Sequence, residues 1–328
     1  MKILVLGAGA VGGYFGGRLA QKGSDVTFLV RPKRAETLAR EGLRISSRFG
    51  DFRGQVRCVT QDQVKADYDI AVLTAKAYDL AAATDAIAPA MGAGKDGRGL
   101  VLPLLNGMAH MEMLDGRFGR ERVLGGVAYI AATLAPDGEI RHLNDFHRMV
   151  FGPRAETQRE GCDALAAELA GVNFEWKRLD AIEQAMWDKW VLLATLAGIT
   201  CLMRAPVGDI VATASGGQLT LALLGECASV AAAEGFVTPE GAIANYRGML
   251  TQPGSAFTAS MLRDIETGSQ TEGEHILGAL LARARKRDLR TPLLEVAATH
   301  LEAYAARRRR EAGVTRPSET RGPSAAAR

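Results

Sequence analysis

The fold is decided by the stretch KILVLGAGAVGG, residues 2–13. A strand-like apolar run at residues 3–6 leads directly into glycines with the spacing G-x-G-x-x-G, and a segment of helical character follows. In such a strand–turn–helix unit, Gly7 permits the tight turn, Gly9 lets a pyrophosphate approach the backbone, and Gly12 lets the helix pack closely on the strand. The alternative is a tight βα turn that holds no ligand. The predicted cofactor-binding residues of this turn are Gly7, Ala8, Gly9, Ala10, Val11 and Gly12.

Further short apolar runs alternate with helical segments as far as about residue 180, which predicts a parallel sheet covered by helices. The predicted strands are Lys2–Gly7, Asp25–Val30, Asp69–Thr74, Leu100–Leu105 and Arg122–Ala128. Beyond that point, long segments of helical period predict an all-α region. They are Ile182–Ala197, Gly217–Glu234, Pro239–Leu250, Phe257–Glu266, Glu272–Lys286 and Thr291–Ala306. We expect an α/β protein with an N-terminal Rossmann-type, doubly wound parallel sheet over residues 1–180 and an all-α C-terminal domain over residues 181–306.

Composition restricts the class of partner. The chain has 40 basic and 37 acidic residues, and the segment Arg307–Arg328 alone holds seven Arg against two Glu. The rest of the chain is therefore slightly acidic, which argues against a nucleic-acid surface. We expect residues 307–328 to be a disordered tail, with an arm for an acidic partner as the alternative.

The cysteines and the apolar runs indicate the compartment. The four cysteines are widely spaced, with no C-x-x-C pair and no nearby histidine cluster, which predicts a reducing, cytoplasmic location and no metal site. The longest apolar stretch, Trp190 to Met203, is shorter than the roughly 20 residues that cross a bilayer, so we expect a buried helix and no membrane partner. The apolar faces of the predicted C-terminal helices have two interpretations. They form a homodimer interface, or they are all used in the core of the domain.

The end of the second predicted strand bears on the choice of dinucleotide. A site for NAD places an Asp or Glu there to bind the ribose 2′-hydroxyl. This chain has Arg31-Pro32-Lys33-Arg34 instead. Three cations in place of a carboxylate suit a 2′-phosphate, and Arg31 is the best placed. The sequence therefore predicts NADPH or NADP as the cofactor, with an ordinary exposed basic loop as the alternative.

Two more strand ends carry polar side chains. One predicted strand leads to Lys76 and another to Asn106-Gly107, and ligands of open α/β sheets lie beyond such ends. Together with the glycine turn and Arg31, these segments resemble the ketopantoate reductase family. The resemblance implies that Lys76 lies near the nicotinamide half of the cofactor, that Asn106 contacts both cofactor and substrate, and that the strand ending at Ala131 passes close to the cofactor.

The C-terminal half carries the same resemblance. Trp187-Asp188-Lys189 is similar to the Trp-x-Lys of the family, whose lysine is the general acid of carbonyl reduction. The segment Ser260-Met261-Leu262-Arg263-Asp264 is similar to one whose serine holds the substrate carboxylate. Thr271-Glu272 is similar to a Thr-Glu pair whose glutamate sits at the reacting centre. The resemblance thus implies Lys189 and Glu272 as catalytic residues, with Glu272 also near the cofactor, and Asn106, Lys189 and Ser260 as substrate-binding residues.

A reductase of this kind takes hydride from the nicotinamide and needs an acid for the developing alkoxide. We expect Lys189 to supply that proton, with its pKa lowered by burial beside Trp187 and Trp190. The chain departs from the ketopantoate pattern one and two turns later, where Leu193 and Ala197 replace asparagines that bind the substrate's polar groups.

Three functions stay open after this reading. The first is NADPH-dependent reduction of 2-dehydropantoate (ketopantoate) to D-pantoate in pantothenate biosynthesis. The second, which Leu193 and Ala197 favour, is a paralogous reductase of another 2-keto acid or carbonyl compound. The third is a non-catalytic protein that binds or senses NADPH, although such a protein has no need of both Lys189 and Glu272.

Overall fold

The computed structural model describes residues 1–92 and 99–313 of the chain. The strands are β1 Lys2–Leu6, β2 Asp25–Leu29, β3 Leu43–Ser46, β4 Phe52–Gly54, β5 Arg57–Val59, β6 Ile70–Leu73, β7 Leu100–Pro103, β8 Gly125–Tyr129, β9 Ala132–Leu134, β10 Ile140–His142, β11 Arg148–Gly152 and β12 Glu175–Arg178. The α-helices are α1 Ala10–Lys22, α2 Pro32–Glu41, α3 Leu80–Ile87, α4 Ala109–Phe118, α5 Arg159–Leu169, α6 Ile182–Met203, α7 Val207–Val211, α8 Gly216–Ala233, α9 Glu240–Leu250, α10 Ser260–Glu266, α11 Ala279–Lys286 and α12 Pro292–Glu311.

These elements form two compact units. The N-terminal unit comprises Met1–Leu193 and Ala228–Asn245, and the C-terminal unit comprises Ala194–Cys227 and the residues from Tyr246 onward. The twelve strands within residues 1–92 and 99–313 all belong to the N-terminal unit, and the described elements of the C-terminal unit are helical. The boundary between the units differs from the predicted division at residue 180. It falls between Leu193 and Ala194, so the continuous helix α6 contributes residues to both units.

The core of the N-terminal unit is a five-stranded parallel sheet with the order β5-β2-β1-β6-β7. Val5 of β1 pairs with Phe28 on one side and Val72 on the other, and all three side chains are buried. Strands covered on both faces read as near-continuous apolar runs, which is why the sequence showed them. The predicted doubly wound parallel sheet is confirmed.

One predicted strand lies outside this sheet. The chain after α4 makes a single parallel bridge to β7, between Val123 and Val101, and β8 then pairs antiparallel with β11. Pro103 at the end of β7 has no N–H to extend the ladder. The strand predicted over Arg122–Ala128 therefore belongs to a separate three-stranded sheet, β12-β11-β8. A four-stranded sheet, β4-β3-β10-β9, was not predicted, because its strands have only three or four residues each.

Two helices of the all-α region extend beyond their predicted ends. Helix α6 reaches Met203, and by length and composition it is apolar enough to cross a membrane, but 72% of its most apolar window is buried inside the protein. That burial agrees with the buried helix expected from the sequence. Helix α12 reaches Glu311, so the first five residues of the predicted disordered tail, 307–311, are helical; arginines are favourable in a last helical turn. The rest of the predicted tail, residues 314–328, lies outside the described residues.

The glycine turn fixes the start of α1 against the ends of β1 and β6. Gly7 has φ of +90°, a left-handed conformation that favours glycine. A Cβ placed on Gly12 would lie 2.3 Å from Thr74 Oγ1 and 2.4 Å from the Gly7 carbonyl oxygen. Thr74 in turn donates a hydrogen bond from Oγ1 to the Leu6 carbonyl at 2.7 Å. The helix and the two strands therefore meet where no side chain fits.

A cluster of aromatic and histidine rings connects α1 to the chain after β10. The Tyr14 hydroxyl lies 2.6 Å from His147 Nδ1, and His142 Nδ1 lies 3.0 Å from Ser47 Oγ. The Phe49 ring stacks on His147 with centroids 3.9 Å apart. Burial lowers the pKa of His147 to about 4, and the nearby His142 and Arg18 act in the same direction. His147 is therefore neutral in the folded protein at pH 7.

The first prediction concerns Gly12. We expect Gly12→Ala to lower the free energy of unfolding by roughly 1–3 kcal/mol, because the added methyl has no room and the turn must shift. The measurement is urea unfolding followed by circular dichroism. The matched control is Gly116→Ala on α4, where an added Cβ has no atom within 4 Å. That substitution should be neutral or slightly stabilising. Equal effects of the two substitutions would contradict the packing argument.

The second prediction follows from His147. Its pKa is lower in the folded protein than in the unfolded chain, so the unfolded chain binds more protons between about pH 6.5 and pH 4. Stability should be complete above pH 6.5 and should fall as the pH is lowered towards 4. The loss from this residue is at most about 3.5 kcal/mol, since one pKa unit corresponds to about 1.4 kcal/mol. Unfolding measured across this range should show a flatter profile for His147→Phe, and an unchanged profile would refute the assignment.

Candidate functional site

The site begins at the N-terminus of α1, where the glycine turn presents backbone N–H groups. Gly9 is the N-terminal cap of the helix, makes no side-chain cap bond, and has open space where a Cβ would stand. The first turn of α1 contains no acidic residue. The positive end of the helix dipole therefore faces no carboxylate from its own turn, an arrangement that suits a bound phosphate.

Two arginines stand near this turn in different surroundings. Arg31, at the N-terminal cap of α2, is 85% exposed, and its Nη2 lies 3.4 Å from Asp79 Oδ2. Arg34, one turn into α2, is half-buried and donates from Nη2 to the carbonyl oxygens of Ala8 and Gly138, both at 3.1 Å. The sequence singled out Arg31, but Arg34 is the arginine in contact with the glycine turn.

The predicted strand-end residues follow β6 and β7. Lys76 is half-buried and precedes a 3₁₀ turn over Ala77–Asp79. Asn106 follows β7 by three residues and is also half-buried. Since β6 and β7 are parallel neighbours, both side chains start from the same edge of the sheet, as predicted.

Lys189 and Asn106, which are far apart in the sequence, meet in the N-terminal unit. Lys189 Nζ donates to Asn106 Oδ1 at 2.8 Å and to the Ala128 carbonyl at 2.5 Å. The ammonium also lies 5.5 Å from the centre of the Tyr129 ring, within range of a cation–π interaction. It lines a small pocket whose other walls are apolar side chains and glycines, namely Leu105, Gly107, Gly126, Val127, Met186 and Trp190.

The packing of α6 on β8 places this lysine. A Cβ on Gly125 would lie 2.6 Å from Ile182 Cγ1, so the first turn of α6 rests directly on the strand. The buried Trp187 stacks on Phe236 with ring centroids 5.4 Å apart, which fixes the rotation of the helix. The tryptophan of the Trp-x-Lys segment is therefore a packing residue, and the lysine two positions on faces the Ala128 carbonyl.

The ionisable neighbours of Lys189 are themselves partly desolvated. Burial raises the pKa of the Tyr129 hydroxyl, and the charge of Asp188 adds to the effect. Burial also raises the pKa of Asp188, while a hydrogen bond from Gln184 Nε2 opposes that shift. Tyr129 is a residue that the sequence reading missed as a neighbour of the lysine. Its position near the end of a strand that approaches the site was the available signal.

Ala131 lies just beyond β8 and has both backbone polar groups engaged. Its N–H donates to Asn144 Oδ1 at 3.0 Å, and its carbonyl accepts from the Leu143 N–H at 2.7 Å. Asn144 Oδ1 also lies 2.8 Å from His142 Nε2. The assignment of Ala131 to the cofactor stays a prediction.

The remaining predicted residues belong to the C-terminal unit or to the junction within α6. Ser260 is the exposed first residue of α10, and Glu272 is buried, with 8% of its surface exposed, just before a π-helical turn over Glu274–Gly278. Their roles at the reacting centre stay predictions. Leu193 is half-buried one turn after Lys189, and Ala197 is buried one turn later.

Comparison with known proteins fits this geometry. Residues 3–156 match the family model described as Ketopantoate reductase PanE/ApbA, and residues 181–305 match its C-terminal counterpart. An uncharacterized oxidoreductase of Bacillus subtilis, YkpB, is 38% identical over 306 residues, which cover 93% of this chain and 99% of the relative.

Solved structures show the same architecture. A 2-dehydropantoate 2-reductase from Geobacter metallireducens superposes with a TM-score of 0.83 at 28% identity, covering 92% of this chain and 99% of the other. A ternary structure of D-mandelate dehydrogenase with NADH and anilino(oxo)acetate also gives a TM-score of 0.83, covering 94% and 99% of the two chains, and at 21% identity it shows the shared fold alone. The two family models together span most of the chain, and the chain therefore belongs to the ketopantoate reductase family of oxidoreductases.

Proposed function

We propose that this protein reduces a 2-keto acid to the 2-hydroxy acid with a nicotinamide cofactor, NADPH, and that 2-dehydropantoate is the first candidate substrate. The observation that carries the proposal is the position of Lys189. Its ammonium is held by the Asn106 side chain and the Ala128 carbonyl, in the same unit as the glycine turn. A fixed cation beside the ends of β7 and β8 can act on a carbonyl oxygen.

The glycine turn fits a dinucleotide. The space above Gly9 is open, and Gly12 leaves no room for a side chain between the turn and Thr74. The residues that would hold the cofactor are Gly7 to Gly12 at the pyrophosphate, Arg31 at the adenosine end, and Lys76, Asn106, Ala131 and Glu272 toward the nicotinamide. The D-mandelate dehydrogenase structure of the same fold holds NADH, which supports a nicotinamide cofactor.

When bound, the cofactor supplies hydride to the carbonyl carbon. Lys189 would stabilise the negative charge that develops on the carbonyl oxygen and would transfer a proton to it from Nζ. Asn106 Oδ1 accepts a hydrogen bond from that ammonium, so it orients one N–H and leaves the amide NH₂ for a substrate oxygen. Solvent would then restore the proton on Lys189.

Two residues of the C-terminal unit carry further proposed roles. We assign Ser260 to the substrate carboxylate and Glu272 to the reacting centre, and both assignments rest on the family resemblance. The partner is a small-molecule keto acid, and we propose a cytoplasmic location for the reaction. A ketopantoate reductase of Staphylococcus aureus is described as dimeric, which supports a homodimer as a hypothesis for this chain.

Two observations near Lys189 favour a second candidate, a reductase of a less polar 2-keto acid. Leu193 stands one turn after Lys189 on the same helix, where an asparagine would bind the hydroxyl of ketopantoate. A substrate hydroxyl left without a partner costs about 1–3 kcal/mol. The apolar lining beside Lys189 points in the same direction.

The third prediction tests Lys189. Lys189→Ala should lower kcat by at least about 100-fold, because the proton donor is lost, and should change the Kd for NADPH by less than about threefold. Lys189→Arg keeps the positive charge but is a poor acid, so it should remain deficient. The matched control is Lys177→Ala, since Lys177 is exposed on β12. Stopped-flow oxidation of NADPH at saturating substrate measures the effect, and near-normal turnover by Lys189→Ala would disprove the role.

The fourth prediction tests substrate choice. Ketopantoate and a series of 2-keto acids with increasingly apolar side chains should be compared by kcat/KM. We expect Leu193→Asn to raise the ratio of ketopantoate to apolar substrate by about tenfold, the equivalent of one recovered hydrogen bond, while Leu193→Met leaves it unchanged. A wild-type protein that already prefers ketopantoate would rule out the second candidate. Tight NADPH binding without turnover of any acid would favour a sensing protein.

A further inference from the structure

We propose that Asn144 is a positioning residue for Lys189, and that it acts by holding the end of β8 through a chain of hydrogen bonds from Ser47 and His142. The part that concerns the reaction rests on the proposed function, since it needs Lys189 as the proton donor. The chain of hydrogen bonds itself belongs to the folded N-terminal unit, and it can be tested without any turnover.

The backbone changes sheets directly after β8. Tyr129 is the last residue of β8 that pairs with β11, and Ala132 begins β9 in the four-stranded sheet. Ala132 pairs with His142 of β10. The Leu143 N–H extends that ladder by one bond, to the Ala131 carbonyl at 2.7 Å. Residues 130 and 131 therefore form a junction where one ladder ends and another begins.

Asn144 continues the second ladder with its side chain. The Ala131 N–H donates to Asn144 Oδ1 at 3.0 Å, so a side-chain oxygen takes the part of a backbone acceptor. Only the amide oxygen, and not the NH₂ group, can accept from an N–H, which settles the orientation of the Asn144 amide. The same oxygen lies 2.8 Å from His142 Nε2, and its two lone pairs can accept both bonds. The Asn144 side chain thus ties the end of β8 to β10.

The contacts of His142 determine which of its ring nitrogens carries hydrogen. Nε2 faces two oxygens that can only accept, Asn144 Oδ1 and, at 3.1 Å, the Phe146 carbonyl, so Nε2 is the donor. In the neutral ring Nδ1 then accepts from Ser47 Oγ at 3.0 Å. The Tyr14 ring packs against the imidazole with centroids 5.0 Å apart. These contacts hold the imidazole in the orientation in which it donates to Asn144.

The segment held in this way is the one that holds the lysine. The Ala128 carbonyl, three residues before Ala131, accepts from Lys189 Nζ, and the Tyr129 ring lies 5.5 Å from the same ammonium. A shift of the strand end would move both groups relative to the lysine. Displacement of a catalytic group by about 1 Å can cost on the order of 100-fold in rate. Asn144 thus acts on Lys189 through β8, which makes it a positioning residue.

The experiment compares Asn144→Leu with Asn144→Asp in the full-length protein. Leucine has a similar size but no acceptor, whereas aspartate keeps an oxygen at the same place. Two quantities are measured, the exchange rate of the Ala131 amide by NMR and kcat with NADPH and the 2-keto acid that wild type prefers. The control is Asp145→Asn, because the Asp145 side chain is 78% exposed and pairs with Arg48 at the surface. Both quantities should be unchanged in this control.

We expect Asn144→Leu to speed exchange of the Ala131 amide by about 10-fold or more, because a hydrogen bond is lost. It should lower kcat by about 10-fold, and Asn144→Asp should restore most of both values. In a Lys189→Ala background the same change should lower kcat by less than about twofold, since the lysine that the strand positions is already gone. Ser47→Ala removes the donor to His142 Nδ1. It should lower kcat by about threefold, and it replaces Asn144→Leu if that variant does not fold.

Three results would overturn the inference. Unchanged exchange at Ala131 in Asn144→Leu would show that the side chain does not hold the strand end. A kcat of Asn144→Leu equal to that of wild type would show that the strand end does not position the lysine. An equal fold loss of kcat with and without Lys189 would show a general structural effect. A wild type that turns over no 2-keto acid would instead refute the proposed function, while the exchange rates would still decide whether Asn144 holds β8.

Discussion

The structure depends on one close approach, that of α1 to the ends of β1 and β6 at Gly12. The backbone of the helix lies so near to the Gly7 carbonyl and the Thr74 hydroxyl that even a methyl group does not fit. This contact sets the direction of α1, and with it the direction in which the N–H groups of its first turn point. The open space at Gly9 and the position of Arg34 against Ala8 both follow from that turn.

Lys189 shows how packing can orient a charged group. The lysine gains its place from apolar contacts on other faces of α6, where Ile182 rests on Gly125 and Trp187 stacks on Phe236. Its ammonium then meets the Ala128 carbonyl and the Asn106 amide at hydrogen-bond distance. The Lys189 ammonium is therefore already positioned in the folded chain, which reduces the reorganisation that a reaction would require.

The parallel sheet and the long helices were predictable because each has a strong periodic signal, and the glycine turn because its spacing has one physical meaning. The short strands β3, β4, β9 and β10 were not, since three or four residues carry little pattern. The meeting of Lys189 with Asn106 needed the family resemblance, because contact between distant segments leaves no local trace in a single sequence. The different burial and partners of Arg31 and Arg34 could not be predicted for a similar reason. Exposure and an ion pair with Asp79 are properties of the folded chain.

The packing of Gly13 has a consequence for how the chain acquires its fold. A Cβ on Gly13 would lie 2.3 Å from Ile140 Cδ1, so the second glycine of the pair at the start of α1 is covered by β10. The first helix therefore completes its surroundings only when a segment more than 120 residues later has been synthesised and has docked. Such non-local contacts carry a high loop-closure cost and slow folding. During translation, the glycine turn and the start of α1 would therefore remain incompletely packed until the β9–β10 hairpin has been synthesised.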